Sequence, residues 1–272
     1  MRAEPLRLAL AAALALWLAM PLIPLAIWSF AHGWRFPALL PGELTLDAWT
    51  YALSPASGVL ESLGVTIFIG LAVTLLAALV GVPAGRALGL HQFRGRGLVL
   101  MLLLAPVILP GIAVALGLHG VFLRLGLTGT VTGVILAHLI PVLPYMTLVM
   151  AAVFAGFDTG AEEQARALGA RPAQVLWHVT LPAILPGLMT GALFAFLVSW
   201  SQYLLTLSIG GGRVQTLPLV LFTFATSGRN DVTGAVAMIY ILPGLLILAL
   251  TTRRLTGRSP VLGPGIGPGT DR

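Results

Sequence analysis

Cysteine and lysine are absent from this 272-residue sequence, and only 9% of its residues are charged. Without cysteine the chain has no thiol nucleophile, no disulfide and no cysteine ligand for a metal. A Walker A loop uses its lysine to reach the nucleotide phosphates, so this chain is not itself a P-loop ATPase. Soluble domains carry about 25% charged residues, so the low charge also excludes an ordinary water-soluble domain.

Apolar residues make up 58% of the 272 positions, roughly 158 residues, which is enough for about six bilayer crossings of ~20 residues each. The hydropathy pattern therefore predicts an all-α polytopic membrane protein with a single domain at 1–255. The first apolar run exceeds the ~7–15 residues of a signal-peptide core, so it is interpreted as a retained span. The six predicted transmembrane helices are 8–31, 62–84, 98–118, 130–155, 185–208 and 232–252.

The fifteen basic residues are all arginines, spread between the apolar runs with Arg253 and Arg254 as the only adjacent pair. Nucleic-acid binding needs a clustered basic face, so a nucleic-acid partner is not expected. Six spans place eleven arginines on one side of the membrane and four on the other. The positive-inside rule then predicts that both termini and the loops at 85–97 and 156–184 are cytoplasmic. The four outer arginines are Arg35, Arg124, Arg213 and Arg229.

The segments on the predicted outer side, at 32–60, 119–129 and 209–231, are too short to form a separate domain. Ligand capture outside the membrane is therefore expected to need another protein. The tail at 256–272 is rich in glycine and proline and poor in large apolar side chains, so it is predicted to be a disordered cytoplasmic tail.

The cytoplasmic loop at 156–184 predicts two short helices, at about 160–168 and 172–180. Thr159 and Glu162 have capping-box spacing, and Glu162 lies four residues before Arg166, as in a helical ion pair. Gly169 suits a left-handed C-cap, and Pro172 suits the first position of the second helix. From these residues alone, docking to another protein and lying on lipid headgroups are equally good interpretations.

The part of this loop at 158–182 resembles the EAA loop of ABC importer permeases, which reads Glu-Ala-Ala, three residues, Gly, nine residues, Ile, one residue, Leu-Pro. Gln164 replaces the first alanine of that pattern, and Val179 replaces its isoleucine. The resemblance extends over most of the chain and is closest to the spermidine/putrescine group with its iron, thiamine and phosphonate relatives. The positions that match residue for residue are Glu163, Ala165, Gly169, Leu181 and Pro182.

The resemblance implies the transmembrane domain of a type I ABC importer in the bacterial inner membrane. Its two short helices would be coupling helices seated on a cytoplasmic ATPase dimer, which would bind the ATP and Mg²⁺; the chain itself would hold no cofactor and catalyse no reaction. A second permease subunit, expected to be a different chain, would complete the pathway, and an extracytoplasmic binding protein would deliver the solute. The implied ATPase-coupling residues are Glu162, Glu163, Ala165, Gly169, Val179, Leu181 and Pro182.

The fifth predicted span is more polar than the others and offers candidate pathway residues. If this span is one continuous helix, Gln202 shares a face with the residues three before and four after it. Interfacial aromatics, bundle packing and interhelical hydrogen bonds are alternative roles for the same side chains. The candidates are Ser199, Trp200, Gln202, Tyr203 and Thr206.

Titratable groups are scarce within the spans. A lone membrane histidine is more often a hydrogen-bonded packing residue than a ligand, so His138 and His119 are interpreted as packing residues, and no metal site is expected. Polyamine permeases resemble Ser-Phe-Asp-Asp-Phe where this chain has Ser201 and Gln202 in place of the two carboxylates. A polycation would therefore need acidic groups from the partner permease.

Two other functions compete with the importer interpretation. A secondary transporter driven by an ion gradient normally has carboxylates or histidines in mid-span, and these are few here. An intramembrane enzyme would need a catalytic cluster or a GxSxG motif, and the sequence has no GxSxG.

Overall fold

The computed structural model describes residues 3–34 and 37–256, which are almost entirely helical. A π-helical turn at Leu176–Thr180 joins α9 to α10, and a 3₁₀ turn at Pro55–Ser57 precedes α4. The predicted tail beyond Thr256, together with Arg35, lies outside the described residues. The helices are α1 (Ala3–Ala19), α2 (Leu22–Trp28), α3 (Asp47–Ala52), α4 (Val59–Leu90), α5 (Arg96–Ile108), α6 (Gly111–Arg124), α7 (Val131–Ala155), α8 (Gly160–Ala167), α9 (Pro172–Val175), α10 (Leu181–Trp200), α11 (Leu204–Gly210), α12 (Leu217–Thr226) and α13 (Asn230–Thr256).

Helices α4, α7 and α10 form the centre of the bundle. Glycines on α4 allow its backbone to approach α7 closely. A Cβ atom on Gly81 would lie 2.5 Å from Cγ of Met146, and one on Gly85 would lie 2.5 Å from Cβ of Met150. Small residues at such crossings let membrane helices pack without the space that side chains take. This close contact makes α4 and α7 one packed pair.

The described residues contain four single helices long and apolar enough to cross a membrane, and a fifth crossing if the bent pair α5–α6 counts as one. The sequence predicts six. The difference lies in the first span, which is divided into α1 and α2 at Met20 and Pro21, so that neither part is long enough alone. Proline removes a helical amide donor and clashes with the preceding turn, which accounts for the break between α1 and α2 at Pro21.

The third predicted span is also divided, because α5 and α6 meet at 104°. Leu109 is extended and Pro110 precedes the first residue of α6, which is the backbone expected before and at a proline. Three further prolines in the third and fourth predicted spans could also break their helices, but they lie inside continuous ones: Pro106 in α5, and Pro141 and Pro144 in α7.

The fifth predicted span differs at both ends. Helix α10 ends at Trp200, and the chain is non-helical over 201–203 before α11 begins. At the other end Leu181 and Pro182 do not close a separate short helix, because α9, the π turn and α10 form one apolar helical stretch, Pro172–Trp200. Pro182 lies at the start of α10, directly after the π turn, so its missing amide donor coincides with the point where the helical hydrogen-bond pattern changes.

Candidate functional site

The segment that joins α7 to α10 folds back on itself as a hairpin, defined here as α8, α9 and the turn between them. The predicted capping box at its start is wrong. Thr159 makes no side-chain cap, and the amide of Gly160 donates instead to Oδ1 of Asp158 at 2.8 Å. The Glu162 carboxylate does not reach back to the cap, because it is bound elsewhere.

The turn of the hairpin agrees with its prediction. Gly169 has φ +88°, its amide donates to the carbonyl of Arg166 at 2.9 Å, and the amide of Ala170 donates to the carbonyl of Ala165 at 3.0 Å. These are the two bonds of a Schellman motif, which satisfies carbonyls at a helix end. Pro172 occupies the first turn of α9, as predicted.

Glu162 is buried at the base of the hairpin, with 2% of its side chain exposed. Arg86 of α4 donates to both carboxylate oxygens, at 2.8 and 2.6 Å, and the Thr180 hydroxyl donates at 2.5 Å. The predicted bond from Arg166 is present but longer, at 3.4 Å. The Arg86 hydrogen bonds lower the pKa of the Glu162 carboxyl to about 2 against the opposing effect of burial, and Thr180 and Arg166 add to the lowering. The carboxylate is therefore charged and held inside the protein.

The outer face of the hairpin is exposed. Glu163 and Gly169 are open to the surroundings, and Ala165 is half-buried. Leu168 stands at the turn with 90% of its surface exposed, and Trp177 in the π turn is 63% exposed. Neither of these two apolar residues is among the predicted coupling residues, although a leucine beside the predicted C-cap glycine is visible in the sequence. The three remaining coupling candidates lie where the hairpin meets α10: Val179 and Leu181 half-buried, and Pro182 exposed.

A second feature is a pocket of about 470 Å³ at the two helix breaks. It lies between the α5–α6 bend and the non-helical residues 201–203, and it includes Gln202 and Tyr203 of the predicted pathway set. Its polar side chains are all uncharged. The lining residues are Pro106, Val107, Leu109, Gly111, Val114, Pro141, Tyr145, Val198, Ser201, Gln202, Tyr203, Leu204 and Leu205.

The other three pathway candidates do not line this pocket. Ser199 and Thr206 are buried, and both bind the imidazole of His138, at 3.0 and 2.9 Å. Trp200 is 4% exposed and stacks between Phe196 and Tyr240. The shared helix face proposed for Gln202 is absent because α10 ends at Trp200. His138 is a hydrogen-bonded packing residue, in agreement with the prediction.

The sequence profile of the family described as "Binding-protein-dependent transport system inner membrane component" matches residues 81–258. The chain belongs to this family. The match begins in α4 and includes the hairpin, the pocket and α13. The protein is thus a permease subunit of the ABC importer type, located in the inner membrane as a multi-pass protein.

Curated relatives of this permease transport different solutes. It is 32% identical over 228 residues to the molybdenum transport system permease protein ModB of Mycobacterium bovis, covering 77% of this chain and 84% of that protein. It is 30% identical over 176 residues to the spermidine/putrescine permease protein PotC of Haemophilus influenzae, covering 65% and 68%. It is 27% identical over 241 residues to the putative 2-aminoethylphosphonate permease protein PhnV of Salmonella typhimurium, covering 88% and 89%.

The fold of this permease is similar to those of solved ABC importers. A bacterial ABC transporter involved in the import of alginate matches with a TM-score of 0.67 at 21% identity, covering 91% of this chain and 94% of that one. The methionine transporter MetNI matches with a TM-score of 0.56 at 20% identity, covering 78% and 98%. The expected fold, a type I importer transmembrane domain, is confirmed.

Proposed function

We propose that this permease forms half of a translocation pathway and receives energy through its hairpin from a separate cytoplasmic ATPase dimer. The observation that carries the proposal is the hairpin itself, whose base is fixed by Glu162 and whose turn presents Leu168 almost fully exposed. Leu168 in the turn and Trp177 in the π turn both expose large apolar side chains on this segment, and contiguous exposed apolar surface is typical of a protein contact. The absence of lysine supports an external source of ATP hydrolysis.

In this proposal the hairpin end of the bundle is cytoplasmic, together with both termini. Arg86 lies at this end, bound to Glu162, whereas Arg213 lies near the opposite end beside Gly129, which precedes α7. The excess of arginine at the hairpin end supports that orientation.

The pocket at the helix breaks is the proposed part of the pathway contributed by this chain. A second permease, proposed to be a different chain, completes the pathway, and a binding protein on the outer side delivers the solute. Ser201, Gln202, Tyr203 and Tyr145 offer neutral hydrogen-bonding groups there. A small polar solute without multiple positive charges fits this lining, because no carboxylate is present to pair with a polycation.

The docking step is tested by replacing Leu168 with glutamate, which places a charge at the centre of the proposed contact. We expect loss of ATPase co-purification and of solute uptake, with normal membrane insertion. Leu39→Glu is the matched control, because Leu39 is 91% exposed but lies outside the hairpin. If the ATPase co-purifies equally with both variants and uptake is normal, the hairpin does not dock in this way.

The energy source is tested in the same cells. Uptake should continue when an ionophore abolishes the membrane potential and should stop when ATP is depleted. The reverse result would favour the ion-gradient-driven alternative.

A further inference from the structure

Three helical elements meet at one carboxylate at the base of the hairpin, and a fourth element is linked to it through Arg86. Glu162 belongs to α8, Arg86 to α4, and Thr180 to the π turn that leads into α10. The guanidinium of Arg86 also lies 5.4 Å from the ring centroid of Phe154, near the end of α7. These four residues are called the Glu162 node. They join the hairpin to the three helices at the centre of the bundle.

The contact between α8 and α4 is made mainly by these side chains. Helix α8 packs mainly against α9 and the π turn. The Arg86 fork donates to both oxygens of Glu162, a geometry that fixes orientation as well as distance. A movement of α8 relative to α4 must therefore stretch or rotate this ion pair.

A movement of α4 would also displace α7. Gly85 and Gly89 bring the α4 backbone against α7, where a Cβ on Gly89 would lie 2.8 Å from Cβ of Phe154. Tightly packed helices have little freedom to slide independently. Arg86 thus binds the hairpin through Glu162 and lies beside the close contact between α4 and α7.

We infer that Arg86 is a positioning residue for energy coupling: its bidentate pair with Glu162 transmits displacement of the docked hairpin to α4 and α7. This inference rests on the proposed function, because it presupposes that an ATPase moves the hairpin. It assigns Glu162 an internal role, in contrast to the direct ATPase contact that the family resemblance implies for the coupling residues. The exposed residues of the hairpin, Glu163 and Leu168, are left to make the contact.

Loss of the Arg86–Glu162 pair should uncouple ATP hydrolysis from solute transport. The docking face does not include Arg86, so the ATPase should remain bound when Arg86 is changed. Helix α4 would then follow the hairpin poorly, and ATP would be hydrolysed without opening the pathway. Coupling energies through packed networks correspond to changes of about 2- to 30-fold, so we expect solute transported per ATP to fall by about fivefold or more.

The test uses the complete importer in proteoliposomes with Arg86→Lys and Glu162→Gln. Lysine at position 86 keeps the positive charge but cannot form the bidentate hydrogen bonds. Glutamine at position 162 keeps the shape of the side chain but removes its negative charge. Co-purified ATPase, ATP hydrolysis and solute uptake are measured on the same preparations. Arg166→Gln is the matched control, because Arg166 contacts the same carboxylate at 3.4 Å from an exposed position, and it should keep the wild-type ratio.

The outcomes are distinct. Retained ATPase with a lowered transport ratio in both node variants, and not in Arg166→Gln, supports the inference. An unchanged ratio in Arg86→Lys and Glu162→Gln overturns it, as does loss of ATPase binding in both, which would make the pair a docking support. If the wild-type permease binds no ATPase, the proposed function itself is wrong. The wild-type preparation alone gives that result, so it is distinguishable from failure of the inference.

Discussion

The imidazole of His138 lies 2.9 Å from the hydroxyl oxygen of Thr206, and its other ring nitrogen lies 3.0 Å from that of Ser199. Ser199 stands before the break in the fifth span and Thr206 stands after it. One buried side chain of α7 therefore holds both sides of the break. The non-helical residues 201–203 between them are free to face the pocket.

Replacing His138 with phenylalanine should destabilise the permease without changing the pocket lining. The ring would keep its packing volume, but two buried hydroxyls would lose a partner, at a cost of about 1–3 kcal/mol in the free energy of unfolding. Denaturant unfolding in detergent measures this value. A double-mutant cycle with Ser199→Ala should give a non-zero coupling energy, whereas additive effects would show that the bridge contributes nothing.

Trp200 and Tyr203 should respond differently to truncation, although only three positions separate them. Trp200→Ala opens a cavity between Phe196 and Tyr240 and should lower the unfolding free energy by about 3–5 kcal/mol. Tyr203→Ala removes part of the pocket lining and should alter the KM or the solute preference of uptake with a smaller loss of stability. Equal stability losses in both variants would contradict this division between packing and pathway.

Gly81→Ala should be destabilising by about 1–3 kcal/mol, because the new methyl would overlap Met146. Met146→Ala in the same chain should recover part of the loss, since it removes the nearest atom. Gly64→Ala on the same helix is the control, because its Cβ would meet nothing within 4 Å. That change should be neutral or slightly stabilising, and a loss at position 64 equal to that at 81 would disprove the packing argument.

Acidification should weaken the Glu162 node. The pKa of Glu162 is lowered from 4.5 to about 2 in the folded chain, so its contribution to stability is complete above pH 4.5 and is lost as the pH falls from 4.5 to about 2. Thermal unfolding of the wild type and of Glu162→Gln separates this group from the other carboxylates. The difference in Tm should shrink between pH 7 and pH 3, and a constant difference would contradict the ion-pair account.

Local chemistry made parts of the hairpin predictable. Gly169 and Pro172 determine their turn and helix start through their own backbones, which a sequence displays directly. The partner of Glu162 was not predictable in this way, because Arg86 is 76 positions away and comes close only when α4 and α8 meet. A distant arginine fork replaced the local capping interaction.

The breaks within the spans also differ in how far the local sequence predicts them. The bend at Pro110 follows from proline geometry, whereas the break after Trp200 has no proline or glycine in 199–203 to announce it. The residue that holds the two sides of this break is distant in the sequence, because His138 of α7 binds both Ser199 and Thr206. Of the predicted pathway residues, Ser199 and Thr206 bind His138 and do not line the pocket, whereas Gln202 and Tyr203 do line it.

The continuous stretch Pro172–Trp200 has 29 residues and would be about 43 Å long at 1.5 Å per residue, compared with about 30 Å for the hydrocarbon of a bilayer. Roughly a third of its length would therefore stand outside the hydrocarbon as the second arm of the hairpin. The same helical stretch thus begins outside the hydrocarbon, in the hairpin, and ends at Trp200, next to Ser201 of the pocket lining. Any displacement of its outer third that the π turn does not absorb would therefore reach the pocket.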